Sequence, residues 1–238
     1  MLPVRLIDSA FSDSLTSSET ITRRKQKPMS SIIYLYSHPI QYFAPLNRAL
    51  AKATGTDLTV CYCSRQGLDA DTDPGFGVPV QWDIPLLEGY RSVFLPNLRG
   101  KQTPAGFWSL VNPGIVKLLW KAPRGYLVVH GWAYCTHLLA ILFGRLFGHR
   151  VCLRAESPLS QELTQPRWVQ LLKRLIFDYA LFQPAYYMFY IGKQNKAFFR
   201  HHGVPERKLV FTPYAVDNGR FQAEAAAFKD EKKFIRES

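Results

Sequence analysis

From residue 32 to residue 212, short runs of apolar side chains alternate with longer segments in which apolar positions recur at helical spacing. The short runs, 32–36, 57–63, 91–95, 126–129, 150–153, 186–191 and 209–212, are rich in β-branched and aromatic residues and stop at polar or glycine-containing stretches. Runs of this kind predict strands buried on both faces, as in parallel sheets. The intervening periodic segments predict helices at 43–53 (Leu46, Leu50 and Ala53 on one side), within 100–121 (Pro113 in its first turn; Ile115, Val116, Leu118 and Leu119 apolar), at 133–147, 167–177 and 194–201, the last stopped by Gly203. Alternation of strand and helix with right-handed crossovers makes the expected fold α/β: a Rossmann-like parallel sheet with helices on both faces.

Open sheets of this type bind ligands just past the carboxyl ends of their strands. Several chemistry-bearing residues fall at such ends. The first strand runs into His38, Gln41 and Tyr42; the fourth delivers His130 and Trp132; the fifth delivers Arg154 and Glu156; the sixth leads to Lys193 and the last to Asp217. An imidazole titrating near neutrality can exchange protons or hydrogen-bond a hydroxyl, which makes His130 the candidate catalytic residue. For both His38 and His130 the competing reading is a histidine capping a helix or satisfied in the core. A guanidinium suits phosphate or carboxylate through its planar fork, and a carboxylate can orient a sugar hydroxyl. Arg154 and Glu156 therefore read either as ligand-binding groups or as a pair with each other.

Composition narrows the class. The 238 residues are 47% hydrophobic and 20% charged, which excludes a chain disordered throughout. A formal charge of +12 implies anionic partners: nucleic acid, phosphorylated substrates or an acidic membrane surface. No nucleic-acid-binding motif accompanies the charge, so nucleic acid is not expected. Cys61 and Cys63 at i, i+2 suit neither a zinc knuckle nor a redox motif, and with Cys135 and Cys152 they read as packed, reduced thiols of a cytoplasmic protein. Asp69, Asp71 and Asp73 lack the glycine and glutamate of a calcium loop, so a solvated loop and no metal are expected. Trp82, Leu86, Leu87 and Tyr90 are expected over the sheet edge or at the lip of a pocket. Residues 1–29 read as a disordered leader without a signal peptide's apolar region. The apolar segment 133–147 is too short to span a bilayer and is interrupted by His137 and Arg145. The amphipathic segment 167–177 reads either as an ordinary surface helix or as a peripheral contact with the anionic inner face of the plasma membrane.

The motifs SHPIQYFAPL, WDIPLLEGY with FLPN, VHGW, RAES, YIGKQNKAFFRHHGVPERKL and PYAVDN occur in that order. Together, over residues 31 to 221, they resemble the amino-terminal domain of bacterial retaining glycosyltransferases of the GT-B fold, family 4. The resemblance implies one half of a two-domain enzyme: an acceptor-binding domain at 30–217 and a tail at 218–238 leading toward a donor-binding domain. It implies a nucleotide-sugar as donor substrate, no metal or other cofactor, and a sugar or lipid-linked acceptor in surface polysaccharide or glycolipid synthesis. By residue it places His130 near the transferred sugar, His38, Gln41 and Tyr42 in the first loop facing donor phosphates and acceptor, and Glu156, Lys193 and Asp217 at recurring positions. The family's donor carboxylates stand as Glu, seven residues, Glu; Glu224 and Glu231 in the tail miss that spacing. The expectation is therefore a chain that binds acceptor and needs a donor domain, in a separate chain or in a continuation of this one, to transfer sugar. The alternative is a non-catalytic acceptor-binding or membrane-associated subunit of a split transferase.

Overall fold

A computed structural model describes residues 30–53, 55–68, 84–100, 105–214 and 218–228. Its centre is a seven-stranded sheet in the order β3-β2-β1-β4-β5-β6-β7, all pairs parallel. The strands are β1 (Ser30–Tyr36), β2 (Thr56–Tyr62), β3 (Arg91–Phe94), β4 (Tyr126–His130), β5 (Arg150–Arg154), β6 (Met188–Tyr190) and β7 (Leu209–Phe211). The helices are α1 (Phe43–Lys52), α2 (Gly114–Lys121), α3 (Cys135–Leu146), α4 (Leu159–Leu163), α5 (Arg167–Ile176), α6 (Lys193–His201) and α7 (Asn218–Ala227). The Rossmann-like α/β architecture is thus the observed one. The chain winds outward from β1 in one direction and from β4 in the other, so the carboxyl ends of those two neighbours open the crevice at which such sheets bind ligands.

Alternation along each strand sorts the core into two layers. Ile33, Leu35, Cys61, Cys63, Leu127, Val129, Val151 and Leu153 face one layer with Ile115 and Leu119 of α2, Ala140 and Ile141 of α3, and Phe198 and Phe199 of α6. Tyr34, Tyr36, Val60, Tyr62, Val128 and Cys152 face the other, where Phe43, Leu46 and Leu50 of α1 cover them. Burial pushes the Cys61 thiol up to about 12 and Cys152 to about 11, so both stay protonated as packing groups.

Local chemistry explains the helices' close fit. At Gly144 of α3 a Cβ would stand 2.5 Å from Leu127 Cδ2 and 3.1 Å from Val151 Cγ2, so the missing side chain lets the helix sit down on β4 and β5. Asn112, fully buried just before α2, donates from Nδ2 to the carbonyls of Cys63 at 3.0 Å and Leu95 at 2.6 Å, joining the ends of β2 and β3. Its Oδ1 accepts from Thr136 Oγ1 at 2.8 Å, which pins the start of α3 to the same point.

Several boundaries differ from the sequence expectation. α1 ends at Lys52, leaving Ala53 exposed, and its inward side includes the buried Asn47, to which Tyr36 donates. α4 was not foreseen: its five residues, with Leu159 and Leu163 one turn apart, are too few to show a period. The expected helix at 167–177 runs on past α5 as a π-helical segment, Phe177–Phe182. Leu86 is buried, Leu87 packs on the α1 layer, and the Tyr90 hydroxyl, hydrogen-bonded to the Tyr62 hydroxyl at 2.8 Å and to the Leu86 carbonyl, fixes that segment over the sheet. The expected leader, the Asp69–Asp71–Asp73 loop, Trp82 and Asp217 lie outside the described residues.

Candidate functional site

Register places one row of large side chains across the carboxyl edge on the α1 side. Phe94 pairs with Tyr62, Tyr62 with Tyr36, and His130 with Arg154, which in turn pairs with Phe189. The row closes because the Tyr36 and His130 rings lie 5.5 Å apart. The first residue of α1, Phe43, stands edge-on to His130 at 4.8 Å and stacks on Tyr36 at 5.0 Å. Aromatic rings at these separations form a rigid apolar floor.

Polar groups are set into that floor. His130 Nε2 lies 3.3 Å from Glu156 Oε1, with the histidine side chain 17% and the glutamate 42% exposed. Glu156 follows β5 by two residues, and the turn there directs it to His130 on the neighbouring strand. The carboxyl is held below the ordinary glutamate range, first by the hydrogen bond from His130, with a further one from Tyr214, against the opposing effect of burial. Tyr214, reached from beyond β7, has its hydroxyl pushed well above the usual phenol range by burial and by that bond to Glu156. Its ring lies 6.2 Å from Phe43 and 6.3 Å from Tyr42.

Arg154, 3% exposed, places its guanidinium 5.4 Å from the Phe43 ring centre and 5.6 Å from that of Tyr214. Its Nε and Nη2 find no hydrogen-bond partner among the described residues, and no described carboxylate stands within ion-pair distance. The pairing of Arg154 with Glu156 expected as one alternative is thus replaced by a pairing of Glu156 with His130. Arg154 is a cation held in low dielectric with hydrogen-bonding capacity to spare.

The remaining residues distribute around this centre. His38 lies in the loop after β1, its Nδ1 2.9 Å from Ser37 Oγ. Gln41 is half-buried in the turn before α1, and Tyr42 is exposed at its start. Lys193 is exposed at the first position of α6, after β6. Trp132 packs on the opposite layer, its ring 5.5 Å from Phe177, 5.2 Å from Phe182 and 6.3 Å from Phe198. His137, buried in α3, is lowered to about 3 by burial first and by His130 second, and is neutral across the physiological range. Sequence reasoning passed over Phe43 and Tyr214. The signal for Tyr214 was its place after the last strand, the same logic that selected Glu156.

Among the described residues no group of three or more His, Cys, Asp or Glu stands close enough to hold a metal ion. No described helix is long and apolar enough to cross a membrane. What the geometry offers is an exposed carboxylate that accepts hydrogen bonds, an adjacent buried cation, and aromatic faces on either side.

Fold and edge together define the chain as a Rossmann-like α/β domain with a polar site at the crevice between β1 and β4. No family model and no curated protein matches it. A solved structure, Anabaena Alr3699/HepE in complex with UDP and glucose, is similar at 13% identity and a TM-score of 0.45, over 79% of this chain and 45% of that one. The chain thus spans less than half the length of that protein.

Proposed function

We propose that the chain is the acceptor-side domain of a GT-B glycosyltransferase, of the retaining family 4 type. On this reading a sugar or lipid-linked acceptor seats at the β1/β4 crevice and receives a hexosyl group from a nucleotide-sugar, in surface polysaccharide or glycolipid synthesis. The observation that carries the reading is the carboxylate of Glu156, exposed at the rim yet fixed by His130 and Tyr214. A carboxylate so held accepts hydrogen bonds from neighbouring hydroxyls of a sugar at little cost in ordering, and flanking rings such as Tyr42 and Tyr214 cover the apolar faces of a pyranose. The ordered series of motifs from SHPIQYFAPL to PYAVDN supports the same assignment.

Within this reading Glu156 touches the acceptor and His130 is a positioning residue. His130 donates from Nε2 to Glu156, while its Nδ1 is buried without a partner among the described residues. Arg154 lies beside them as the group that would meet an anionic part of donor or acceptor, and His38, Gln41 and Lys193 extend the same edge.

The test is binding by the full chain, followed by thermal shift, against monosaccharides and a polyprenyl-pyrophosphate-linked sugar. One acceptor class is expected to stabilise the wild type. Glu156→Gln should abolish that response while moving the unliganded melting temperature by no more than about 2 °C. With that acceptor, label transfer from UDP- or GDP-sugars by the complete enzyme should depend on Glu156. Sugar binding indifferent to both Glu156→Gln and His130→Ala would overturn the reading, as would binding of DNA alone with steep salt dependence.

A further inference from the structure

α5 is the one place where the described structure leaves a complete apolar face uncovered. Trp168, Leu171, Leu172, Leu175 and Ile176 fall on one side of the helix, and Tyr179 of the Phe177–Phe182 segment continues the line. Each is between 49% and 73% exposed, and no residue of α5 is buried. The stripe is therefore turned away from both core layers.

The polar side is what ties α5 to the domain. Lys173 Nζ meets Glu162 Oε2 of α4 at 3.0 Å, Gln170 Nε2 donates to the Gln165 carbonyl at 2.8 Å, and Asp178 receives His202 Nδ1 at 2.8 Å. Below α5, Leu181 and Phe182 are buried, and Arg145 of α3 donates to the carbonyls of Ala180 and Leu181. The helix is thus fastened at its back and downstream end with its apolar side presented outward. A helix this short owes its stability in water to packing of its apolar face, so the face calls for a surface.

We infer that α5 lies in the plane of an anionic lipid bilayer, with Trp168 to Tyr179 inserted at the boundary of headgroups and acyl chains. Charge selects this occupant over a second copy of the chain. Arg167 and Arg174 border one edge of the stripe and Lys173 the other, Arg174 lying 3.7 Å from Asp178 and Lys173 paired with Glu162, on a molecule of formal charge +12. Two copies meeting face to face would bring two Arg167 guanidinium groups and two molecules of this net charge together, whereas phosphodiester headgroups attract both. Trp168 and Tyr179, at opposite ends of the stripe, have the amphipathic rings favoured at the interface between lipid and water. The inference stands independently of the reaction proposed for the rim.

The experiment is flotation of the full chain with vesicles of phosphatidylcholine alone, or of equal parts phosphatidylcholine and phosphatidylglycerol. Binding is expected to the anionic vesicles and to weaken with added salt. The surface double variant Leu171→Ser/Leu175→Ser, with unchanged far-ultraviolet circular dichroism, should bind at least tenfold more weakly. Emission of the wild type should shift to the blue with anionic vesicles, and Trp168→Phe should lose most of that shift. Equal binding by wild type and double variant overturns the inference. So does a self-association, seen by sedimentation, that the double variant abolishes in a chain that ignores both kinds of vesicle. Loss of sugar binding by Glu156→Gln with vesicle binding intact separates this result from the fate of the rim assignment.

Discussion

His130 and Glu156 meet at 3.3 Å although they leave different strands, because β4 and β5 are in register at His130 and Arg154 and the chain turns back after β5. The contact lowers the glutamate's pKa, so the stability it contributes is present above the ordinary carboxyl range and is lost as pH falls through the lowered value. His130→Ala should raise the Glu156 titration toward the ordinary range, read by carboxyl-carbon NMR with Glu156→Gln as assignment control. In the proposed site it should also weaken acceptor binding at least tenfold, while His130→Gln, which keeps a donor, restores most of it.

Arg154 gives a result of opposite sign. A buried guanidinium without a described carboxylate partner costs solvation, offset in part by its ring contacts with Phe43 and Tyr214, each worth about 0.5–2 kcal/mol. Arg154→Met should leave the urea midpoint unchanged or raise it. Pyrophosphate should raise the midpoint of the wild type and not that of the variant.

His137 sets an acid limit. Unfolded, its imidazole protonates near its ordinary value of 6.5; folded, it stays neutral until about 3. The unfolded state therefore binds one more proton in that window, and stability falls by up to about 1.4 kcal/mol per pH unit as the medium is acidified. His137→Leu should flatten this part of the curve, measured as the difference in unfolding free energy between variant and wild type from pH 7 to pH 5.

Much of this arrangement could be read in advance, and the physics explains which parts. The strands announced themselves because both faces are covered, so their apolar runs are continuous. The carboxyl edge followed from topology, which located His130, Arg154 and Glu156 but not their partners. Pairing depends on a register between strands and on one turn, and neither leaves a local mark. Trp132 was assigned to the same edge as His130, yet its ring belongs to the opposite layer with Phe182. α4 is too short for its two leucines to show a period, and Tyr214 enters the site only because the chain just beyond β7 brings it to Glu156 and Arg154.

At Gly144 two effects compete. Alanine favours a helix interior by about 1 kcal/mol over glycine. The added methyl would meet Leu127 at 2.5 Å and Val151 at 3.1 Å, and overpacking of this kind costs about 1–3 kcal/mol. Gly144→Ala should therefore lower stability, by about 1 kcal/mol net, as a reduced midpoint with an unchanged denaturant slope.

Asn112→Leu should be more damaging. It strands the carbonyls of Cys63 and Leu95 in the interior, at about 1–3 kcal/mol for each group left unsatisfied, while the Thr136 hydroxyl keeps the Leu110 carbonyl and the backbone N–H of position 112. Hydrogen exchange should report the loss first at the ends of β2 and β3.

Tyr214 lies over Arg154 and Glu156 at once, and its backbone stands between β7 and α7. Arg154 and Glu156 thus share one cover, so that exchanging this single ring would change the surroundings of cation and carboxylate together.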